Sequence, residues 1–262
     1  MNARDRIQSL ERGVEVLRAF TGRDASLSVA EIAGRVDLAR PVVRRILLTY
    51  EHLGYAEATN GLWNLTPRVL EIGAGYFARS SLPEISYAYM SEVVERTGVT
   101  CSVGVLDGLD VIHVARVEDH RPLPDSVRIG NRLPAHATAV GKVLLSALPL
   151  DELTARLTAG PLDAQTPQTL TSVTPLLERI AVVRARNWDV SIEELHPGQV
   201  AAAVPIVVDG RAVGGLAGSS STVRHTAQSL ENVVLPVLRD AAAAIASAYR
   251  NANPQLFRST AG

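Results

Sequence analysis

Two short helices joined by a tight turn, with a hairpin directly after them, are the feature that most constrains the fold of this chain. Ser28 can accept a hydrogen bond from the Glu31 amide while Glu31 reaches back to the Ser28 amide, a capping box for a short first helix. Pro41 fits the first position of a second helix and favours an extended, cap-like Arg40, and Gly54 supplies a left-handed stop. The spacing predicts a helix-turn-helix.

A hairpin follows the second helix. Asn60-Gly61 is the strongest short hairpin signal that a sequence offers, and it lies between two short strands in the range 55–65. An amphipathic helix precedes the helix pair. These elements predict a winged helix-turn-helix domain over residues 1–65. A further helix, opening at Thr66-Pro67, predicts a linker over residues 66–82.

The pattern changes after residue 82, where alternating apolar strands are interspersed with helices. Asp107-Gly108 and Asp209-Gly210 separate paired strands, which is typical of antiparallel hairpins. The expected strands are 100–106, 111–117, 190–192, 201–207 and 212–217, and the expected helices are 84–97, 138–148, 151–157, 172–186 and 228–249. The predicted fold class is therefore α/β (α+β), with a largely antiparallel sheet flanked by helices over residues 83–262.

The net charge of the chain does not by itself indicate a nucleic-acid partner, because its formal value is −1. Residues 1–80 hold eleven Arg and nine acids, a charge of +2, whereas the remainder holds fifteen basic and eighteen acidic residues, a charge of −3. No acid occurs between Leu38 and Tyr50, so the second helix of the pair presents a purely cationic face. Attraction to nucleic acid therefore depends on this local face.

Targeting and redox signals are few. No apolar run approaches the roughly 20 residues of a membrane span, and the N-terminus lacks the apolar segment of a secretory signal. We therefore expect a cytoplasmic protein without membrane contact. The single cysteine, Cys101, excludes a disulfide within one chain and a cysteine-based zinc site, and we expect it to be a small buried residue.

Three stretches of the chain resemble the IclR family of bacterial transcription regulators, in the family's order and spacing. They are residues 8–20 with the helices that follow and Leu53-Gly54-Tyr55, residues 129–145, and Ile192-Glu193-Glu194 with Gly198 and residues 201–206. The resemblance covers essentially the whole chain and implies a GAF-like effector-binding domain after the winged helix. It also implies operator DNA, a small aliphatic or aromatic organic acid, and further copies of the chain as partners, in a homodimer or a dimer of dimers.

The residues expected to contact DNA lie on the second helix and at two flanking points. Arginine on such a helix can reach guanine edges in the major groove, which makes Arg44 and Arg45 the candidates for base reading. The start of the first helix can donate to a phosphate, and the wing tip can approach the backbone. The full set is Ser28, Arg40, Pro41, Val42, Arg44, Arg45 and Asn60. The alternative is an ordinary solvated helix face, but the position within a helix-turn-helix favours DNA.

The expected effector site lies where a loop runs into a helix at residues 138–140. Amides at a helix start can accept an anion, and the small side chains there let a ligand approach. The resemblance implies that the C-terminal strands complete the pocket. The expected set is Thr138, Ala139, Val140, Ser191, Glu193, Gln199, Ala201 and Ser219. Close packing of small residues is the alternative explanation for these positions.

We expect no enzyme activity, no catalytic residue, no cofactor and no metal. Gly141-Lys142 resembles the end of a phosphate-binding loop, but the required earlier glycine is replaced by His136 and the required Ser or Thr by Val143. His113 belongs to no cluster with metal-ligand spacing and is expected to be a core or pocket residue. The other functional hypothesis is a small-molecule-binding signalling module whose winged helix binds proteins. Salt dependence would distinguish the two, because DNA binding weakens steeply as salt rises.

Overall fold

The structure, a computed structural model, describes residues 6–21, 26–79, 81–120 and 128–257. The chain divides between residues 79 and 80 into two compact units. Each unit has a buried core of its own and is described by itself.

Helices and one hairpin form the first unit. Its elements are α1 (Gln8–Arg18), α2 (Val29–Val36), α3 (Arg40–Leu53), β1 (Ala56–Thr59), β2 (Leu62–Leu65) and α4 (Leu70–Arg79). The capping box at Ser28 is present: its Oγ accepts from the Glu31 amide at 3.3 Å, and the Ser28 amide donates to the Glu31 carboxylate at 2.8 Å. The predicted helix-turn-helix is confirmed.

The second helix of this pair starts one residue earlier than predicted. Arg40, expected to be an extended cap, is the first residue of α3, and Ala39 before it is extended, with φ −62° and ψ 136°. Pro41 fits the second position as well as the first, because first-turn amides have no intrahelical acceptor. Gly54 ends the helix at φ 80°, as predicted.

The predicted hairpin forms a wing beside α3. Asn60 and Gly61 have φ values of 53° and 80°, the left-handed pair that a tight two-residue turn needs. Leu27 forms an antiparallel bridge to Trp63, with backbone hydrogen bonds of 3.0 and 2.8 Å in the two directions. Leu27 and Trp63 share a buried core with Val43 of α3, and this core fixes the wing against the helix pair.

A six-stranded antiparallel sheet flanked by helices forms the second unit, which confirms the predicted fold class. Its strands are β3 (Thr100–Asp107), β4 (Asp110–Val117), β5 (Arg132–Pro134), β6 (Asp189–Ile192), β7 (Gln199–Val208) and β8 (Arg211–Ser221). Its helices are α5 (Leu82–Thr97), α6 (Ala139–Ser146), α7 (Leu150–Thr158), α8 (Val173–Arg186), α9 (Ala227–Ser229) and α10 (Leu235–Ala252). The strands lie in the order β5-β4-β3-β8-β7-β6.

Helices cover both faces of this sheet. One core joins α5 and α10 to one face, and a second core joins α6, α7 and α8 to the other. Glycine brings α6 close to its face: a Cβ on Gly215 would lie 2.6 Å from Val140 Cγ2, and a Cβ on Gly141 would overlap the backbone of Ala135. The start of α6 therefore packs directly against the sheet.

Two parts of the second unit differ from the sequence prediction. The edge strand β5 was not expected, because three residues that include Pro134 are too short to show alternation. The last helix was expected to be continuous over 228–249, but a π-helical turn at Leu230–Val234 separates α9 from α10. Pro236 explains the wide turn, since its ring lacks an amide and would clash with the carbonyl four residues earlier.

Cys101 lies on β3 in the core under α5 and α10, which confirms the expected buried residue. Burial raises the pKa of its thiol to about 12, so the thiol stays protonated near neutral pH.

Candidate functional site

The first unit presents a cationic helix face. Arg40, Pro41, Arg44 and Arg45 are exposed on one side of α3, while its opposite side is buried. Val42 lies at the edge of the exposed face and is half-buried. This surface can present guanidinium groups to a groove without an acid nearby on the helix.

The other two predicted DNA contacts lie beside this helix. Asn60 is exposed at the wing tip. Ser28 starts α2, but its hydroxyl is already engaged, because it donates to Glu31 Oε2 at 2.7 Å and accepts from the Glu31 amide. The Ser28 side chain therefore builds the helix cap.

The second unit holds a cavity between the start of α6 and the sheet. Its free volume is about 40 Å³. Seven of the eight residues predicted for the effector site line it: Thr138, Ala139, Val140, Ser191, Gln199, Ala201 and Ser219. The cavity wall also includes residues outside the predicted effector set, among which only His113 was expected to be a core or pocket residue: Ser102, His113, Arg116, Leu133, Ala137, Glu194, Leu195 and Ala217.

Glu193 is the predicted residue that the structure does not bring to the cavity. It follows the end of β6 with a left-handed φ of 53°, and its carboxylate accepts a hydrogen bond from the Gly198 amide at 2.7 Å. This turn breaks the alternation of the strand, so the next residue, Glu194, faces the cavity instead. The Glu193 side chain therefore stabilises the loop between β6 and β7.

Glu194 is held by a buried lysine. Lys142, on α6, is fully buried and donates to both carboxylate oxygens of Glu194 at 2.6 Å. Its Nζ also lies 3.4 Å from Asp189, whose carboxylate pairs with Arg179 and Arg186 at 2.7 and 2.9 Å. The negative charge on this wall is thus neutralised from within the protein.

A β-bulge places two further polar residues on the cavity face. Ser102 pairs with Arg116 and Gly104 pairs with His113, so three residues of β3 lie opposite four residues of β4. The bulge turns Val114 and Ala115 together into the core under α5 and α10. Because of this extra residue, His113 and Arg116 point to the same side of the sheet.

Arg116 brings a guanidinium group with one unpartnered nitrogen to the cavity. Its side chain is 8% exposed, and its Nε donates to Glu118 at 3.0 Å. Its Nη2 is buried without a hydrogen-bond partner. A buried guanidinium nitrogen with no acceptor is costly, and such atoms normally have a partner. The arrangement can receive an anionic oxygen.

Two more side chains in the cavity carry unpartnered atoms. His113 is 4% exposed, and neither ring nitrogen has a hydrogen-bond partner. Burial, and then the charge of Arg116, lowers its pKa to about 4, so the ring is neutral at pH 7. The Oε1 atom of Gln199 is also buried without a partner.

Other classes of site find little support in the described part of the chain. Residues 6–21, 26–79, 81–120 and 128–257 contain no group of three His, Cys, Asp or Glu side chains that could hold a metal ion. Within the same ranges, no helix combines the length and apolarity needed to cross a membrane.

Known proteins match both units. Residues 9–59 match the IclR helix-turn-helix domain, and residues 74–247 match the C-terminal domain of the bacterial transcriptional regulator IclR. The p-hydroxybenzoate hydroxylase transcriptional activator of Acinetobacter baylyi is 35% identical over 244 residues, which are 91% of this chain and 90% of that protein.

Solved structures agree with these matches. The crystal structure of a transcriptional regulator from Rhodococcus sp. RHA1 has a TM-score of 0.81 at 36% sequence identity. The match covers 95% of this chain and 100% of that chain. The inducer-binding domain of PobR from Acinetobacter, a double mutant in complex with 3-hydroxybenzoic acid, has a TM-score of 0.58 at 36% identity and covers 61% of this chain and 94% of its own. This chain therefore belongs to the IclR family of bacterial transcription regulators.

Proposed function

We propose that the effector of this DNA-binding regulator is a small aromatic carboxylic acid that binds in the cavity under α6 and controls operator binding. The single observation that carries the proposal is Arg116, which lines the cavity and whose buried Nη2 has no hydrogen-bond partner. A carboxylate is the anion that best matches the planar guanidinium group, and the pairing gives an acceptor to the nitrogen that Glu118 leaves without one.

The remaining wall suits the ring of such an acid. Leu133, Ala137, Ala139, Ala201 and Ala217 give it an apolar lining. The two similar Acinetobacter proteins support the same class of ligand, since one is by name an activator of p-hydroxybenzoate hydroxylase and the other was crystallised with 3-hydroxybenzoic acid.

The size of the cavity gives the ligand a means of control. A free volume of about 40 Å³ holds about three water molecules, so a benzoate-sized acid has to widen the space between α6 and the sheet. The bound acid therefore favours an arrangement of the second unit in which the space between α6 and the sheet is wider. A ligand can shift an equilibrium only through such a difference in affinity.

DNA is read by the exposed face of α3 in this proposal. Arg44 and Arg45 contact base edges in the major groove, with Arg40, Pro41 and Val42 beside them, while Asn60 approaches the backbone. Ser28 supports the start of α2 through its cap. Because the target is chromosomal DNA, we place the protein in the cytoplasm. Its proposed role is binding and regulation, without catalysis.

Exposed apolar side chains support assembly into a homodimer or a dimer of dimers. On α1, Leu10 and Val14 are exposed, and on α4, Leu70, Ile72 and Phe77 are exposed. Apolar groups gathered on helix surfaces typically mark an interface. We also propose a linker over residues 66–82 between domains 1–65 and 83–262, which the division of the chain near residue 79 supports.

Calorimetric titration of the full-length protein with benzoate tests the carboxylate site. We expect Arg116→Met to weaken binding at least tenfold, about 1.4 kcal/mol, because the charge-assisted hydrogen bond to the carboxylate is lost. Arg96→Met, which removes an exposed arginine of α5, is the matched control and should bind as the unmodified protein does. Equal binding by Arg116→Met would contradict the site.

A further inference from the structure

A buried ion pair joins α6 to the opposite wall of the cavity. Lys142 is the only charged residue of α6 and is completely buried, and its Nζ donates to both carboxylate oxygens of Glu194 at 2.6 Å. The other buried residues of α6 are apolar or small. Apolar contacts tolerate small displacements, whereas a charge-assisted hydrogen bond has a defined length and direction. The Lys142–Glu194 pair therefore fixes the position of α6 more sharply than the apolar contacts around it.

The Glu194 end of this ion pair is anchored independently of α6. In the loop between α7 and α8, Thr169 Oγ1 donates to the carbonyl oxygen of Glu194 at 2.6 Å. Thr166 Oγ1 donates to the carbonyl oxygen of Glu193, also at 2.6 Å. Both threonines are buried, so water does not compete for these bonds. A displacement of α6 away from the sheet therefore has to break the bond between Lys142 and Glu194.

Asp189 offers the same ammonium group a second acceptor. Asp189 begins β6 and is completely buried, and its Oδ1 pairs with Arg179 and Arg186. Its Oδ2 has no hydrogen-bond partner and lies 3.4 Å from Lys142 Nζ. Buried polar atoms normally have a partner. A shift of Nζ by roughly 0.6 Å would complete an ordinary ammonium–carboxylate bond, which is about 2.8 Å long.

We propose that Lys142 is a two-position switch that sets how easily the cavity under α6 widens. In the narrow arrangement it binds Glu194 and holds α6 against the sheet. When a ligand widens the space, the bond to Glu194 breaks and the flexible lysine side chain turns its ammonium group to Asp189 Oδ2. The buried charge thus keeps an acceptor in both arrangements, which avoids the cost of an unpaired buried ion. This inference rests on the proposed function and adds to it the residues that control the widening.

Glu194→Gln tests the first position of the switch without any ligand. The substitution removes the carboxylate charge at nearly constant side-chain size. In the full-length protein we expect the backbone amides of α6 to exchange hydrogen at least about fivefold faster, because the narrow arrangement loses its ion pair. Operator affinity without acid should shift towards the value that the unmodified protein shows with 4-hydroxybenzoate bound. Glu178→Gln, on the exposed surface of α8, is the matched control and should change neither quantity.

The affinity for 4-hydroxybenzoate, measured by calorimetry, distinguishes a switch from a simple effect of charge. Glu194→Gln should bind the acid at least about fivefold more tightly, because less free energy is needed to widen the cavity. Asp189→Asn keeps Oδ1 for the arginines but puts an amide donor in place of Oδ2. It should bind the acid at least about fivefold more weakly, because the wide arrangement loses its acceptor. Loss of negative charge alone would strengthen anion binding in both variants, and a purely structural role would weaken it in both.

The possible failures are distinguishable. Unchanged α6 exchange or unchanged acid-free operator affinity in Glu194→Gln would overturn the switch, as would acid affinities that change in the same direction in both variants. If Asp189→Asn does not fold, the two acid-free measurements on Glu194→Gln decide alone. Absence of acid binding by the unmodified protein would overturn the proposed function and with it the ligand-driven step of the switch, whatever the exchange of α6.

Discussion

At the scale of single residues, the cavity depends on polar atoms whose hydrogen bonds are incomplete. Arg116, His113 and Gln199 each bury a nitrogen or oxygen without a partner and line one small space. Lys142 and Glu194, by contrast, satisfy each other in the wall beside them. The difference separates groups that stabilise the fold from groups available to a ligand.

Burial of His113 should make stability depend on pH. Its pKa is lowered to about 4 in the folded protein, against an ordinary value of 6.5, so the unfolded chain takes up the proton first as pH falls. The free energy of unfolding should therefore decrease between about pH 6.5 and pH 4, by an amount of the order of 3 kcal/mol, and change little from this group above pH 6.5.

The measurement is chemical denaturation at several pH values, with His113→Gln as the comparison. The variant lacks the titrating ring, so its free energy of unfolding should fall less steeply over the same pH range. Parallel pH profiles for the two proteins would mean that His113 is protonated as readily in the folded state as in the unfolded chain.

Much of the cavity wall could be predicted from the sequence, and the reasons for the misses are local. The helix start at residues 138–140 and the small residues of β7 and β8 follow from pattern and resemblance. Arg116 did not, because alternation along β4 puts positions 113 and 116 on opposite faces until a bulge intervenes. Glu194 was missed because the left-handed turn at Glu193 shifts the facing residue by one.

At the scale of elements, local signals determine the first unit. The capping box, Pro41, Gly54 and the Asn60-Gly61 turn each act within a few residues, so the sequence predicts α2, α3 and the wing closely. The single bridge from Leu27 to Trp63 joins distant residues and leaves no local pattern. The π-helical turn before α10 was also missed, because Pro236 alone does not indicate from the sequence whether a helix ends or widens before it.

The exposed face of α3 should control DNA specificity without controlling folding. We expect Arg44→Ala combined with Arg45→Ala to lose most discrimination between a selected operator and a scrambled duplex, since each base-reading arginine contributes about 1–3 kcal/mol. Both side chains are exposed, so the melting temperature should stay nearly unchanged.

Fluorescence anisotropy on the two duplexes, repeated across salt concentrations, measures this loss. Arg18→Ala, an exposed substitution on α1, is the matched control. A double variant that still discriminates as well as the unmodified protein would show that another surface reads the sequence.

At the scale of the whole molecule, one chain carries a DNA-reading unit and a ligand-binding unit. The bound acid changes operator affinity only if it favours one arrangement of the protein over another, and such couplings usually amount to about 1–3 kcal/mol. In the proposed function the cavity under α6 provides that difference, because it widens when the ring enters.

Operator affinity measured with and without acid tests this coupling most directly. The full-length protein is titrated onto a DNA fragment selected from its own binding sequences, in the absence of acid and at saturating 4-hydroxybenzoate. We expect at least a fivefold change in the operator dissociation constant, and in the Arg116→Met variant the same change should require at least about tenfold more acid. An operator affinity that stays constant while calorimetry shows the acid bound would mean that the acid does not control DNA binding.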